Sequence, residues 1–407
     1  MGSIPIGHPN KIMNNFARPS LIILIIVLFS SLTFIGYRWY EDFVTSKSIP
    51  SSEIDIYTQV IPEEKVCLNE EVINFAFYDD KPVNFPVNNK YGLYIYAERQ
   101  DFFEMASEMI NSNGGAWGYV LIPYNVKDRD EKRWKRVFSD LTRLKLIPVI
   151  QLWDVDLDKY EIQTKEAAQF LNKFDWPVKY LYISAYNEMN DRKFWYGKID
   201  PKGYARILNF TIQEFKNVNP NFLIMNGAFN ITAPTDRNHM DAFLYMYYMN
   251  EEVPGIFNKL DAWASHSYPQ PNFSGNPLTI GRWGIRAYDE ELKFLKQNLG
   301  VVKDLPVFIT ETGWAHAEGE SYDKKFLPED ITTQYIVFAF QNIWLQDNRV
   351  RAVMPFTIRY EAPFDHFSWI KKDKSPYKQF LAIKSLPKVK GEPPVLIKGS
   401  YRLEKCD

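Results

Sequence analysis

The chain has 407 residues, room for one large barrel with appendages or for two or three average domains. A formal net charge of −2 excludes a general attraction to nucleic acid, and 46% hydrophobic with 24% charged residues excludes a disordered chain in favour of one with a substantial core. Aromatic residues reach 16%, and beyond core packing such flat rings stack on the C–H faces of sugars, a first pointer to carbohydrate.

The first patterned stretch, 21–37, is aliphatic and uncharged, at the short end for a membrane span, with Trp39 and Tyr40 placed to extend it as an interfacial belt. Lys11 and Arg18 precede it, which favours a cytoplasmic segment over 1–20 and a signal anchor over 21–40. The rival reading is a cleaved signal peptide and a secreted protein, but no clear Ala-x-Ala site follows the apolar run. Either way the body of the chain is expected outside the cytoplasm. Residues 41–85 read as a polar stalk and lead-in. The two cysteines, Cys67 and Cys406, either pair in that oxidising setting or stay separate thiols, and they make no zinc signature.

Beyond Pro86 the pattern becomes regular. Strands are predicted at 91–96, 117–123, 147–152, 180–186, 222–225, 262–266, 307–310 and 352–356. Helices are predicted between and after them at 101–111, 129–144, 164–173, 203–218, 240–249, 287–299, 331–346 and 376–384. Strict alternation implies parallel pairing through crossover helices, and eight repeats suit an α/β fold of the closed (β/α)8 TIM barrel type over 86–387, followed by a tail at 388–407. A doubly wound open sheet competes. It would usually carry a Gly-rich first βα turn, and Tyr96-Ala97-Glu98-Arg99-Gln100 is not one.

Two of these strands end in carboxylates: Tyr186-Asn187-Glu188 closes the fourth and Ile309-Thr310-Glu311-Thr312-Gly313-Trp314 the seventh. In a closed barrel strands four and seven stand on opposite sides of one mouth, at the rim where barrel chemistry occurs. Such a pair can flank a bond held between them, as glycoside hydrolysis needs: one acid to protonate the leaving oxygen, one carboxylate to meet the charge growing at the anomeric carbon. Asn187 is placed either to hydrogen-bond a sugar 2-hydroxyl or simply to make the turn. The five histidines, His8, His239, His266, His316 and His366, show no metal-ligand spacing, which argues against metal chemistry and leaves a structural calcium in a loop open; no cofactor is expected.

These motifs resemble the strand-four Asn-Glu and strand-seven Glu signatures of clan A glycoside hydrolases, retaining (β/α)8 enzymes that include cellulases, β-glucanases, β-mannanases and β-xylosidases. The resemblance spans 86–387. It implies that Glu188 is the acid/base and Glu311 the nucleophile, with their carboxyl groups about 5–5.5 Å apart. His266-Ser267-Tyr268 is similar to the clan's His-x-Tyr after strand six, which implies that Tyr268 hydrogen-bonds the nucleophile and that His266 lines the sugar site. Ser368-Trp369 resembles the clan's passage into its last helix, with Trp369 as the floor of the donor subsite. Trp314 and Trp153 are stacking platforms or rim packing; Arg99 reaches the nucleophile or a sugar hydroxyl, or else makes a surface ion pair. Phe194-Trp195-Tyr196 offers an acceptor-side platform, with Trp195 at its centre, or a hydrophobic lid. The expectation is a membrane-tethered retaining glycoside hydrolase acting on β-linked oligo- or polysaccharide. The alternative is a catalytically retired barrel that binds carbohydrate or serves as a scaffold.

Overall fold

The structure is a computed structural model and describes residues 88–391. The anchor, the stalk, both cysteines and most of the tail lie outside the described residues, and among those described no helix is long and apolar enough to cross a membrane.

Among the described residues, eight strands alternate with eight α-helices. The strands are β1 (Gly92–Tyr94), β2 (Gly118–Asn125), β3 (Leu146–Trp153), β4 (Leu181–Asn187), β5 (Phe222–Ala228), β6 (Trp263–His266), β7 (Val307–Glu311) and β8 (Val350–Val353). The helices are α1 (Gln100–Ile110), α2 (Glu131–Arg143), α3 (Tyr160–Leu171), α4 (Pro201–Val218), α5 (Ala242–Glu252), α6 (Tyr288–Asn298), α7 (Glu329–Ala339) and α8 (Lys378–Ser385). Aspartates start three of the helices as side-chain caps: Asp130 accepts from the Arg133 N–H, Asp200 from Gly203 with Pro201 in the first turn, and Asp241 from Phe243 and Leu244.

All ladders are parallel. β1 to β5 form one run and β6 to β8 another. Parallel bridges Met225↔Ala262 and Tyr91↔Val353 join the two runs at both seams, which makes a closed ring. At the β5–β6 seam a side chain replaces missing ladder bonds: Asn226 donates to the Ala264 carbonyl and accepts from the Ala264 N–H, both at 3.0 Å. The sequence-predicted eighth strand ran to Phe356, but β8 ends at Val353. Pro355 cannot donate to a ladder, and its carbonyl accepts from Tyr94 instead.

Side-chain alternation divides the apolar residues into two layers. Tyr119, Tyr182, Leu223, Met225 and Phe308 fill the ring, with Tyr119 edge-on to Tyr182 at 6.1 Å and to Phe308 at 5.8 Å. The larger core lies between strands and helices. The packed interior floors the ring, so a polar side chain at a strand's C-terminal end has only the mouth to face. The triplet Asn209-Phe210-Thr211, which has the form of an N-glycosylation acceptor, lies in α4, where Thr211 is buried and bonded to the Ile207 carbonyl.

Candidate active site

The end of β4 is held in a conformation that side chains disfavour. Tyr186 has φ 78° and Glu188 φ 42°, in the left-handed region, which persists at a non-glycine residue only when its surroundings enforce it. They do so here. The Glu188 N–H donates to the Ala228 carbonyl at 2.9 Å, and the Glu188 carbonyl accepts from Asp191 at 2.8 Å. From α4 the Tyr204 hydroxyl donates to the Ala185 carbonyl at 2.9 Å and accepts from the Gly227 N–H at 2.8 Å, stapling β4 to β5 just below the turn. Gly227 admits no side chain, because a β-carbon there would lie 2.5 Å from the Ala185 carbonyl oxygen.

β6 and β7 complete the constellation. His266 Nδ1 lies 2.9 Å from Glu188 Oε1, and its Nε2 lies 3.7 Å from Glu311 Oε1. The Tyr268 hydroxyl donates to Glu311 Oε2 at 3.0 Å. The imidazole is wholly buried, while the Glu188 and Glu311 side chains keep 13% and 12% exposure. The two glutamates thus face one ring from two sides, and among the described residues neither is tied up in an ion pair elsewhere. Gln151, on β3, donates to Asn187 Oδ1 at 3.2 Å and so orients that amide beside Glu188. Among the described residues no group of three or more His, Cys, Asp or Glu could hold a metal ion.

Burial pushes the Glu311 carboxyl up to about 7; His266 pulls it down, the Glu188 charge pushes it up, and the Tyr268 hydroxyl pulls it down. For His266 burial opposes the charged form, but the neighbouring Glu311 and Glu188 outweigh it and raise the imidazole above its ordinary value. Burial, then the two carboxylates, drive the Tyr268 phenol well above its usual value, so it stays a donor. Glu311 and His266 are thus both shifted toward holding a proton, the carboxyl by burial and the imidazole by the carboxylates beside it.

A tyrosine and three phenylalanines that the sequence did not single out surround this cluster. Tyr94 on β1 packs against Phe356 at 4.9 Å, Phe356 against Phe367 at 5.8 Å, and Phe367 against Tyr268 at 6.0 Å. Phe273 meets both Tyr268 and Phe367. Tyr94 reads as an ordinary strand residue, and only the barrel's closure brings it to β8.

The remaining sequence-predicted residues divide. Trp153, the last residue of β3, is 48% exposed and offers a free face. Arg99 does not reach the cluster: Asp101, two residues on, captures it at 2.6 Å, and its guanidinium lies over Phe102. Trp195 is buried against Tyr186 and Tyr204, which leaves no face for a sugar; the exposed members of its cluster are Phe194 and Tyr196. Trp314 is buried, donates its indole N–H to the Gly275 carbonyl at 2.7 Å, and packs on Tyr335. Trp369 is likewise buried, its backbone N–H bonded to the Thr357 and Ile358 carbonyls; Phe356, beyond the end of β8, donates its N–H to the Thr312 carbonyl.

Two solved structures share this arrangement of strands and helices. One is a monomeric β-xylosidase from Caulobacter crescentus CB15, with TM-score 0.51 and 14% identity over 74% of this chain and 68% of that one. The other is a GH39 β-xylosidase from Caulobacter crescentus, with TM-score 0.50 and 15% identity over 74% of this chain and 72% of that one. The likeness is one of fold. It falls on the fold class that the clan A motifs implied. No protein-family model matches the sequence, and no curated protein matches it.

Proposed function

We propose that the chain is a retaining glycoside hydrolase that cleaves β-linked oligo- or polysaccharide, with Glu188 as acid/base and Glu311 as nucleophile. One observation carries this reading: carboxylates from β4 and β7 converge on the single imidazole of His266 at the barrel mouth. A double displacement needs two carboxyl groups facing one sugar ring, one to give a proton and one to attack as the anion.

In the first step Glu188 gives its proton to the glycosidic oxygen while Glu311 attacks the anomeric carbon, forming a glycosyl-enzyme ester and releasing the leaving sugar. In the second, Glu188 takes a proton from water, which displaces Glu311 and regenerates the acid. His266 keeps a proton at hand beside Glu188, and the Tyr268 hydroxyl supports Glu311 as an anion. Asn187 hydrogen-bonds the 2-hydroxyl of the ring under attack, and Trp153 stacks on a neighbouring sugar. The apolar segment 21–37 tethers the enzyme to a membrane, with the barrel outside the cytoplasm.

Aryl β-glycosides test the assignment. Glu311→Gln should abolish turnover of every active substrate, by about 10⁴-fold or more. Glu188→Ala should lose about 10²- to 10⁴-fold on poor leaving groups and far less on activated ones, which need little acid help. Parental rates in both variants would remove the assignment. Oligosaccharide binding with no hydrolysis by the parent would favour a carbohydrate-binding barrel.

A further inference from the structure

The β4–α4 and β8–α8 loops meet although their strands are four apart in an eight-strand ring, hence on opposite sides of the mouth. The contact is Lys193. Its Nζ lies 5.2 Å from the centroid of Phe194 and 5.3 Å from that of Phe364. Phe194 belongs to the loop that follows Glu188, and Phe364 to the loop that follows β8.

Both loops are held by hydrogen bonds, most of them to neighbouring elements. In the first, the Arg192 N–H donates to Asn238, the Lys193 N–H to Asp191 Oδ1, and the Met240 N–H to Asn190; the Tyr196 hydroxyl accepts from the Val155 N–H at 2.7 Å. In the second, Ile358 donates to the Tyr94 carbonyl and Tyr360 to Ser368 Oγ, while Phe364 packs on Tyr360 at 5.7 Å and Phe356 at 6.1 Å. Each rim is therefore tied to its surroundings, and Lys193 reaches from one to the ring of Phe364 on the other. A cation between two ring faces is attracted to both.

From this geometry we infer that Lys193, Phe194 and Phe364 strap the mouth across its diameter, so that the enzyme takes its substrate by a chain end and not at internal bonds. The inference rests on the reading of Glu188 and Glu311 as the hydrolytic pair. A polymer lying through an open groove has to pass the strap; a chain end enters beneath it without displacing either loop. Phe194 and Phe364 then confine the incoming end, and Lys193 sets the width between them.

The test compares soluble β-linked polysaccharides and end-labelled gluco- and xylo-oligosaccharides with an aryl β-glycoside. The parent should release short products from one end and leave polymer viscosity unchanged. Lys193→Ala and Phe364→Ala should raise the ratio of polymer to aryl-glycoside turnover by about two- to fivefold, the span of one exposed cation–ring contact, and should bring internal cuts that lower viscosity. Internal cutting by the parent, or an unchanged product pattern in both variants, would overturn the strap. Absence of turnover on every substrate would count against the hydrolase reading itself. In that case calorimetry on Glu311→Gln still decides the strap, because oligosaccharides blocked at either end should bind unequally; equal affinity overturns it.

Discussion

Glu311 at the end of β7 and Glu291 within α6 are both carboxyls that burial pushes up to about 7. Their neighbourhoods differ. Glu291 is fully enclosed behind β6, where its Oε2 accepts from the indole N–H of Trp263 at 3.1 Å and the Ser265 hydroxyl lies beside it. Glu311 keeps an opening to the mouth and meets a donor in Tyr268 and a titrating ring in His266, which reaches on to Glu188. A raised pKa alone thus records burial. What sets the β7 glutamate apart, on the proposed reading, is its contact with His266 and Tyr268 and its opening to the mouth.

The largest expected effect sharpens that contrast. Glu311→Gln should lose activity by about 10⁴-fold or more, whereas Glu291→Gln should stay within about threefold of the parent. Comparable losses in both would erase the distinction between site and core.

Stability should report the Glu291 proton directly. The folded Glu291 carboxyl holds its proton up to about 7, while the unfolded one releases it near its ordinary value of 4.5. The unfolded state therefore sheds its proton first, and stability drains away as pH rises from 4.5 through 7. Glu291→Gln removes the titrating group and should gain about 3 kcal/mol above pH 7 and nothing near pH 4, read by urea unfolding at both pH values. An equal gain at both pH values would place the effect in packing rather than in the proton.

Tyr268→Phe is the subtler test. It removes the hydroxyl that donates to Glu311 Oε2 and leaves the ring packed on Phe273 and Phe367. Turnover should fall by about ten- to a hundredfold, the worth of a hydrogen bond to a charged group. Because the lost donor favoured the carboxylate, the acid limb of the pH–rate profile should move above its parental position. A rate loss without that movement would make Tyr268 a packing residue only.

The sequence made the alternation of strands and helices legible because each crossover repeats the same change of period. It made Glu188 and Glu311 legible because a lone carboxylate at the end of an apolar strand is conspicuous. Tyr204, Asn226 and Glu291 were not legible: their partners, Ala185, Ala264 and Trp263, lie on other elements, and nothing local announces the contact. Tryptophan was the least informative signal. Trp195, Trp314 and Trp369 share their residue type with the exposed Trp153, and only packing separates a core ring from a platform. Arg99 went the other way, captured by Asp101 through a contact short enough to read from the sequence.

The central claim is that Glu188 and Glu311 act on the same sugar ring. Mass spectrometry of Glu188→Ala after incubation with activated 2-fluoro β-glycosides tests it most directly, since the fluorine and the missing acid/base both slow the second displacement. The account predicts one glycosyl unit added to the intact protein, mapped by peptide digestion to Glu311. Turnover without an adduct, or an adduct on any other residue, would contradict it.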